Sequence, residues 1–190
     1  MIGVLLINLG GPDSLESVRP FLFNLFSDRD IIRLPVPPFL QRILAWTISA
    51  LRSKKVIGYY RLIGGMSPIL DITRNQAEEL ERFLNSELRT PNSELKYRVY
   101  FGMRYSPPFI KDVIKGMIDD GIRRILVLPL FPHYSQATTG SAFKEVRKSL
   151  NELGVQSSEL KVTFIESWYD DPGYLDALSE KIKEGLEKFD

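Results

Sequence analysis

Short apolar runs alternate with longer stretches in which apolar residues recur every third or fourth position, from one end of the chain to the other. Gly3–Leu9 (GVLLINL) is apolar on both faces of an extended chain and predicts a buried strand, ended by Gly10-Gly11-Pro12. Ser14–Phe26 then predicts a helix, with Asp13 or Ser14 as N-cap and Glu16 or Ser17 in its first turn. Ile72–Leu88 predicts another, with Leu80, Phe83 and Leu84 on one face, and Tyr97–Gly102 (YRVYFG) a second strand. Pro108–Asp120 reads as a helix stopped by Gly121, a residue suited to a C-cap. Arg124–Leu130 (RILVLPL) is the third strand, followed by a helix from Ser141 to Leu153. Lys161–Ile165 is the fourth strand, and Tyr174–Phe189 a closing amphipathic helix.

Doubly apolar strands separated by helices require right-handed βαβ crossovers. The fold class is therefore α/β, a three-layer parallel sheet. Ligands of such sheets lie beyond the carboxyl ends of the strands, which brings Leu9–Pro12, Met103–Pro108 and Pro132–Gly140 to one rim.

The stretch Val36–Val56 interrupts this alternation. Leu40, Ile43, Leu44, Thr47, Ile48 and Leu51 recur at helical spacing, with Trp46 beside them and Arg42, Arg52, Lys54 and Lys55 around them. An apolar stripe with Trp and basic flanks suits a helix lying on an anionic membrane surface or forming the lip of a substrate pocket. A core-facing helix with solvated cations is the competing reading.

Composition sharpens the charge picture. The 190 residues carry 25 basic and 24 acidic side chains, one His and no Cys. Without cysteine the chain itself can hold no disulfide, thiolate nucleophile or iron–sulfur cluster. A net charge of +1 argues against a general polyanion binder, and no nucleic-acid partner is expected. That near-neutrality is uneven: from Ile31 to Leu70 there is no acidic residue, and Arg33, Arg42, Arg52, Lys54, Lys55 and Arg61 give +6, leaving −5 for the rest. No apolar run approaches the ~20 residues needed to cross a bilayer. Met1–Leu9 lacks the charged start of a signal peptide, and the expected location is cytoplasmic, with peripheral membrane contact through the basic stretch as the alternative.

Several rim residues could carry chemistry. NLGGP places two glycines after the first strand, but Gly-x-Gly-x-x-Gly and a P-loop Lys are absent and Pro12 lacks an N–H, so a tight turn is favoured over a phosphate cradle. Tyr59, Tyr60 and Arg61, followed by Gly64-Gly65-Met66-Ser67-Pro68, offer phenols and a guanidinium for a flat aromatic ligand bearing carboxylates. Arg104 and Tyr105 repeat the theme at the end of the second strand. His133, next to Tyr134 and Ser135, could accept a proton or touch a metal, although a hydrogen-bonded loop residue is the plainer reading. The hydroxyls of Thr139–Ser141 suggest a helix N-cap.

Five segments together resemble ferrochelatases: INLGGPDS at Ile7–Ser14, FLFNLFSDRDIIRLP at Phe21–Pro35, YYRLIGGMSPI at Tyr59–Ile69, FGMRYSPP at Phe101–Pro108 and LPLFPHYSQATTGS at Leu128–Ser141. The resemblance implies a metal chelatase, a lyase that inserts Fe2+ as substrate into a porphyrin (protoporphyrin IX or coproporphyrin III) in haem biosynthesis, with no cofactor required. It implies porphyrin contacts for Leu9, Tyr59, Tyr60, Arg61, Ser67, Arg104, Tyr105 and Ser135, and makes 36–56 the pocket lip, carried by Leu40, Ile43, Leu44, Trp46, Ile48 and Leu51. It weakens a catalytic role for His133, because other members carry Gln there.

In this family the proton-accepting, metal-contacting His and a catalytic Glu lie in motifs that this chain does not contain. The expectation is therefore the first of two Rossmann-like chelatase domains at 1–160, the start of a second at 161–190, no metal ligands or catalytic base in this chain, and no activity for it in isolation. A short non-catalytic tetrapyrrole-binding or membrane-docking module, or a chelatase for another metal, are the alternatives.

Overall fold

The computed structural model describes residues 1–33, 35–86, 96–155 and 159–189. Leu34, within the FLFNLFSDRDIIRLP motif, and Leu88, the expected end of one helix, lie outside the described residues. The element order is β1 (Ile2–Asn8), α1 (Val18–Ser27), α2 (Pro38–Leu62), α3 (Ile69–Ser86), β2 (Tyr97–Met103), α4 (Ile110–Asp119), β3 (Arg124–Pro129), α5 (Ser141–Glu152), β4 (Lys161–Phe164) and α6 (Pro172–Leu186), with one π turn at Gln136–Gly140 before α5.

The strands form one parallel sheet in the order β2-β1-β3-β4. β1 is central, which is why its sequence is apolar on both faces. Leu5 and Ile7, with Ile125 and Val127 of β3, are sealed beneath Ile110, Ile114 and Met117 of α4 and Ala142, Phe143 and Val146 of α5. Val4 and Leu6 face the other way, against Ala77, Leu80 and Leu84 of α3. Each fully buried side chain of this kind contributes ~1.5–3 kcal/mol, so the layer under α4 and α5, with more buried residues than the α3 layer, is the main source of stability.

The α1–α2 hairpin forms its own apolar cluster of Val18, Leu22, Phe26 and Ala45. Its packing reverses the usual amphipathic logic. The buried positions of α2 are Gln41, Ala45, Ser49 and Ser53, four residues apart and small or polar, which lets the two helices approach closely. The Ser49 and Ser53 hydroxyls donate back to the carbonyls of Trp46 and Ala50, which lowers the cost of burying them. Gln41 Nε2 donates to Phe26 O (3.2 Å) and Ile32 O (2.7 Å), tying α2 to the end of α1.

Several sequence-based expectations need correction. α1 begins at Val18 rather than Ser14, because Ser14 and Ser17 bond each other's backbone N–H groups and form a turn instead of a cap. α2 runs six residues beyond Val56, which places Tyr59, Tyr60 and Arg61 on its last turn. The hydroxyls of Thr139 and Ser141 do not cap α5: Thr139 donates to His133 O and Ser141 to Asp28. Gly121 does follow α4 in a left-handed conformation (φ +77°), donating to Ile118 O. β4 pairs with β3, so the sheet extends past residue 160, whereas α6 buries none of its side chains. Among the described residues no helix is long and apolar enough to cross a membrane.

Gly10 ends β1 with φ +86°, and a Cβ there would lie 2.2 Å from Ser106 Oγ. Gly10→Ala is expected to lower unfolding stability by ~2–4 kcal/mol through left-handed strain and overpacking. Gly116 on α4 has nothing within 4 Å of its Cβ position, and Gly116→Ala should raise stability by ~0.5–1 kcal/mol. Urea denaturation of both variants checks the pair.

Candidate functional site

The carboxyl ends of β1 and β2 are locked together before any ligand arrives. Arg104 N donates to Asn8 O (2.9 Å) and Tyr105 N to Leu9 O (3.0 Å). Gly11 N donates to Ser106 Oγ (3.1 Å), and Ser67 N to Pro12 O (2.7 Å). A Cβ on Gly11 would lie 2.6 Å from Ser67 Cβ, so the glycines let Ser67 and Ser106 approach. The Gly11 N–H that a phosphate would need is already bonded. The structure thus brings Leu9, Ser67 and the β2 loop into one patch, with Leu9 and Ser67 half-buried.

Behind this patch sits a buried polar cluster centred on Asp28. Its Oδ2 accepts from Tyr105 Oη (2.6 Å), from Arg104 NH2 (2.9 Å) and from Ser141 Oγ, while Oδ1 accepts from Asp30 N (2.8 Å). Arg104 also donates to Ser141 Oγ through Nε (3.0 Å) and pairs with Glu145 through NH1 (3.1 Å). Burial opposes ionisation of Asp28, but the hydrogen bonds from Ser141, Tyr105 and Asp30 and the charge of Arg104 outweigh it, so its pKa lies below the ordinary 3.8. Burial, reinforced by the bond to Asp28, pushes the Tyr105 phenol well above its ordinary value. Tyr105 is therefore not a free rim residue: at 1% exposure it is enclosed. Arg104 borders a cavity of about 480 Å3 that also meets Asn24, Asp28, Arg42, Lys111 and Glu145.

The lip residues divide into two sets. Trp46 (59% exposed), Ile43 and Leu51 (76%) point outward with Phe39, while Leu40, Leu44 and Ile48 are half-buried. Arg19 lies over the Trp46 ring (5.0 Å) and Lys55 over Tyr59 (5.9 Å). Tyr59 and Arg61 are exposed; Tyr60 is half-buried, and burial raises its pKa. Among the described residues Arg61 has no carboxylate within ion-pair distance, so its guanidinium is available to a ligand.

His133 and Ser135 are exposed at the end of β3. The His133 ring stacks on Tyr169 (4.9 Å between centroids, 14° between planes). Trp168 anchors the neighbouring chain by donating Nε1–H to Pro129 O (2.8 Å) and meets Tyr174 edge-on. Sequence reasoning missed Trp168 and Tyr169, which follow β4 in ESWYDDPGY, although an aromatic pair at a strand's carboxyl end was a usable signal. It also missed Asp28, whose burial no local pattern announces. Among the described residues no group of three His, Asp or Glu side chains could hold a metal ion.

Asp28 links the site to acid stability. A carboxylate with a lowered folded pKa stabilises the fold above its unfolded value of ~3.9, and that contribution is lost as pH falls through the folded value. Asp28→Asn removes the charge while leaving Arg104 buried. It should cost ~2–4 kcal/mol at pH 7, with the gap to wild type narrowing as pH drops below ~4. Denaturant titrations across this range measure both.

Comparison with known proteins places this geometry. The family model described as ferrochelatase matches residues 1–190. The ferrochelatase of Gloeobacter violaceus is 47% identical over 192 residues, covering 100% of this chain and 55% of the relative. That of Aquifex aeolicus is 47% identical over 186 residues, covering 98% and 55%. A Cyanothece ferrochelatase is 47% identical over 188 residues, covering 99% and 46%. The chain thus spans about half the length of the curated relatives it matches. With that family model matched along its whole length, the chain belongs to the ferrochelatase family.

Proposed function

We propose that this chain forms the porphyrin-holding wall of a chelatase that inserts Fe2+ into protoporphyrin IX or coproporphyrin III in haem biosynthesis. Metallation needs a flat apolar surface, cations for the propionates, a base for the pyrrole protons and ligands for the incoming iron. The observation that carries the proposal is the outward face of α2: large apolar side chains share the helix with the exposed Arg61 guanidinium, which among the described residues pairs with no carboxylate, in a segment without a carboxylate of its own. Leu9, Tyr59, Tyr60, Ser67 and Ser135 supply macrocycle contacts, and Arg61 meets a propionate. Arg104 and Tyr105 support the wall from behind through Asp28.

On this reading the base and the iron ligands come from outside these side chains. The one imidazole, His133, is stacked on Tyr169, and no carboxylate pairs with it among the described residues. We therefore assign proton removal and iron delivery to a second half facing this wall, and expect no iron insertion by the 190 residues alone. The same α2 face supports a second contact, peripheral docking on an anionic membrane, because Phe39, Ile43, Trp46 and Leu51 are exposed amid Arg42, Arg52, Lys54 and Lys55.

Titrating the chain with a dicarboxylate porphyrin should shift the porphyrin absorbance and quench Trp46. Arg61→Ala should weaken binding about tenfold, the scale of one charge-assisted hydrogen bond. A wild-type chain that leaves the porphyrin spectrum unchanged overturns the assignment, and robust metallation by it refutes the division of labour. Flotation on anionic liposomes, lost in Ile43→Asp, tests the membrane contact separately, since Ile43 is exposed and its replacement spares the fold.

A further inference from the structure

β2 is an outer strand of the sheet, with β1 on one side only. An outer strand presents every second residue's N–H and C=O away from its partner, a ready template for another chain. In β2 these outward groups belong to Tyr97, Val99, Phe101 and Met103, as their partners show. Tyr97 N donates to Asn85 Oδ1 (3.0 Å), and Tyr97 O accepts from Asn85 Nδ2 (2.9 Å). Val99 N donates to Glu81 Oε2 (2.6 Å). Met103 N donates to Pro108 O (2.7 Å).

Asn85 thus engages Tyr97 through both a donor and an acceptor, as a residue of an adjoining strand does. Glu81 and Asn85 lie one helical turn apart on α3, ~6 Å along the axis at ~1.5 Å per residue. Tyr97 and Val99 are ~6.6 Å apart at ~3.3 Å per residue. The two repeats match, and α3 runs opposite to β2, so successive turns of the helix meet successive outward residues of the strand. The next turn of α3 brings Ala77, which has no polar group. Among the described residues no hydrogen bond reaches the outward N–H of Phe101. There the surface opens into a groove of about 700 Å3 lined by Ala77, Glu78, Val99 and Phe101.

We propose that Glu81 and Asn85 act as a surrogate fifth strand that closes the β2 edge against a second copy of this chain. The guard is local: two side chains satisfy three backbone groups, the N–H and C=O of Tyr97 and the N–H of Val99, and the carboxylate adds a charge that an approaching strand would have to desolvate. This role is independent of porphyrin binding, because α3's guarding residues lie away from the rim patch of Leu9, Ser67 and the β2 loop.

The test is amide hydrogen exchange of the full chain at low and high micromolar concentration, with mass measured by light scattering. In Glu81→Ala/Asn85→Ala, exchange at Tyr97 and Val99 should rise about tenfold in dilute solution relative to Tyr100, whose N–H faces β1. At high concentration, protection should return at Tyr97, Val99 and Phe101 together with a doubling of mass. Association through α2 or α6 would leave these amides unprotected. Should the double variant fail to fold, Glu81→Ala and Glu81→Gln keep the test open: the first should speed exchange at Val99 alone, and the second, which retains an acceptor oxygen, should not. Unchanged exchange at Val99 in Glu81→Ala, or fast exchange with no concentration-dependent protection along β2, overturns the proposal.

Discussion

The carboxylate of Asp28 joins parts of the molecule that share little apolar contact. It terminates α1, yet its hydrogen bonds go to Tyr105 and Arg104 after β2 and to Ser141 at the start of α5. The hairpin of α1 and α2 has its own core, separate from the two that enclose the sheet. Hydrophobic burial therefore builds the hairpin and the sheet but does not fix one on the other. Asp28 does this with a geometry that burial cannot supply, because a buried charge is stable only where every donor is in place. Asn24 adds a bond to Tyr105 O (3.1 Å), and the Lys144–Asp30 pair (3.0 Å) reinforces the same seam from outside.

The orientation of α2 follows from this attachment. With the hairpin held, Gln41, Ala45, Ser49 and Ser53 are used for the close helix–helix contact, and the bulky residues are left outside. That choice forgoes the burial of Trp46 and Leu51, each capable of contributing ~1.5–3 kcal/mol or more if enclosed. A helix that spends its small residues on packing and its large ones on solvent is arranged for a ligand, a membrane or another protein surface. The cations around it are partly drawn onto aromatic faces, which keeps a cluster of like charges compatible with an apolar surface.

Much of the fold is legible in the sequence because parallel strands advertise themselves. GVLLINL and RILVLPL are apolar on both faces, and no helix or exposed strand tolerates that pattern so briefly between turn residues. The rim followed from topology alone. Less legible were features that depend on contacts distant in sequence. Ser141 resembled a cap, but its hydroxyl is drawn away by Asp28, 113 residues earlier. Tyr105 resembled a pocket aromatic, and only the tertiary fold shows it enclosed. On α2, periodicity revealed two faces but could not say which one packed, since small residues make as good an interface as large ones.

The Asp28 cluster, rather than apolar burial, fixes the α1–α2 hairpin on the sheet. Residue-resolved hydrogen exchange of Asp28→Asn under native conditions tests it most directly. Protection should fall across α1 and α2 together while the amides of β1 and β3 keep theirs. Uniform loss of protection throughout the chain, or unchanged protection in the hairpin, would contradict it.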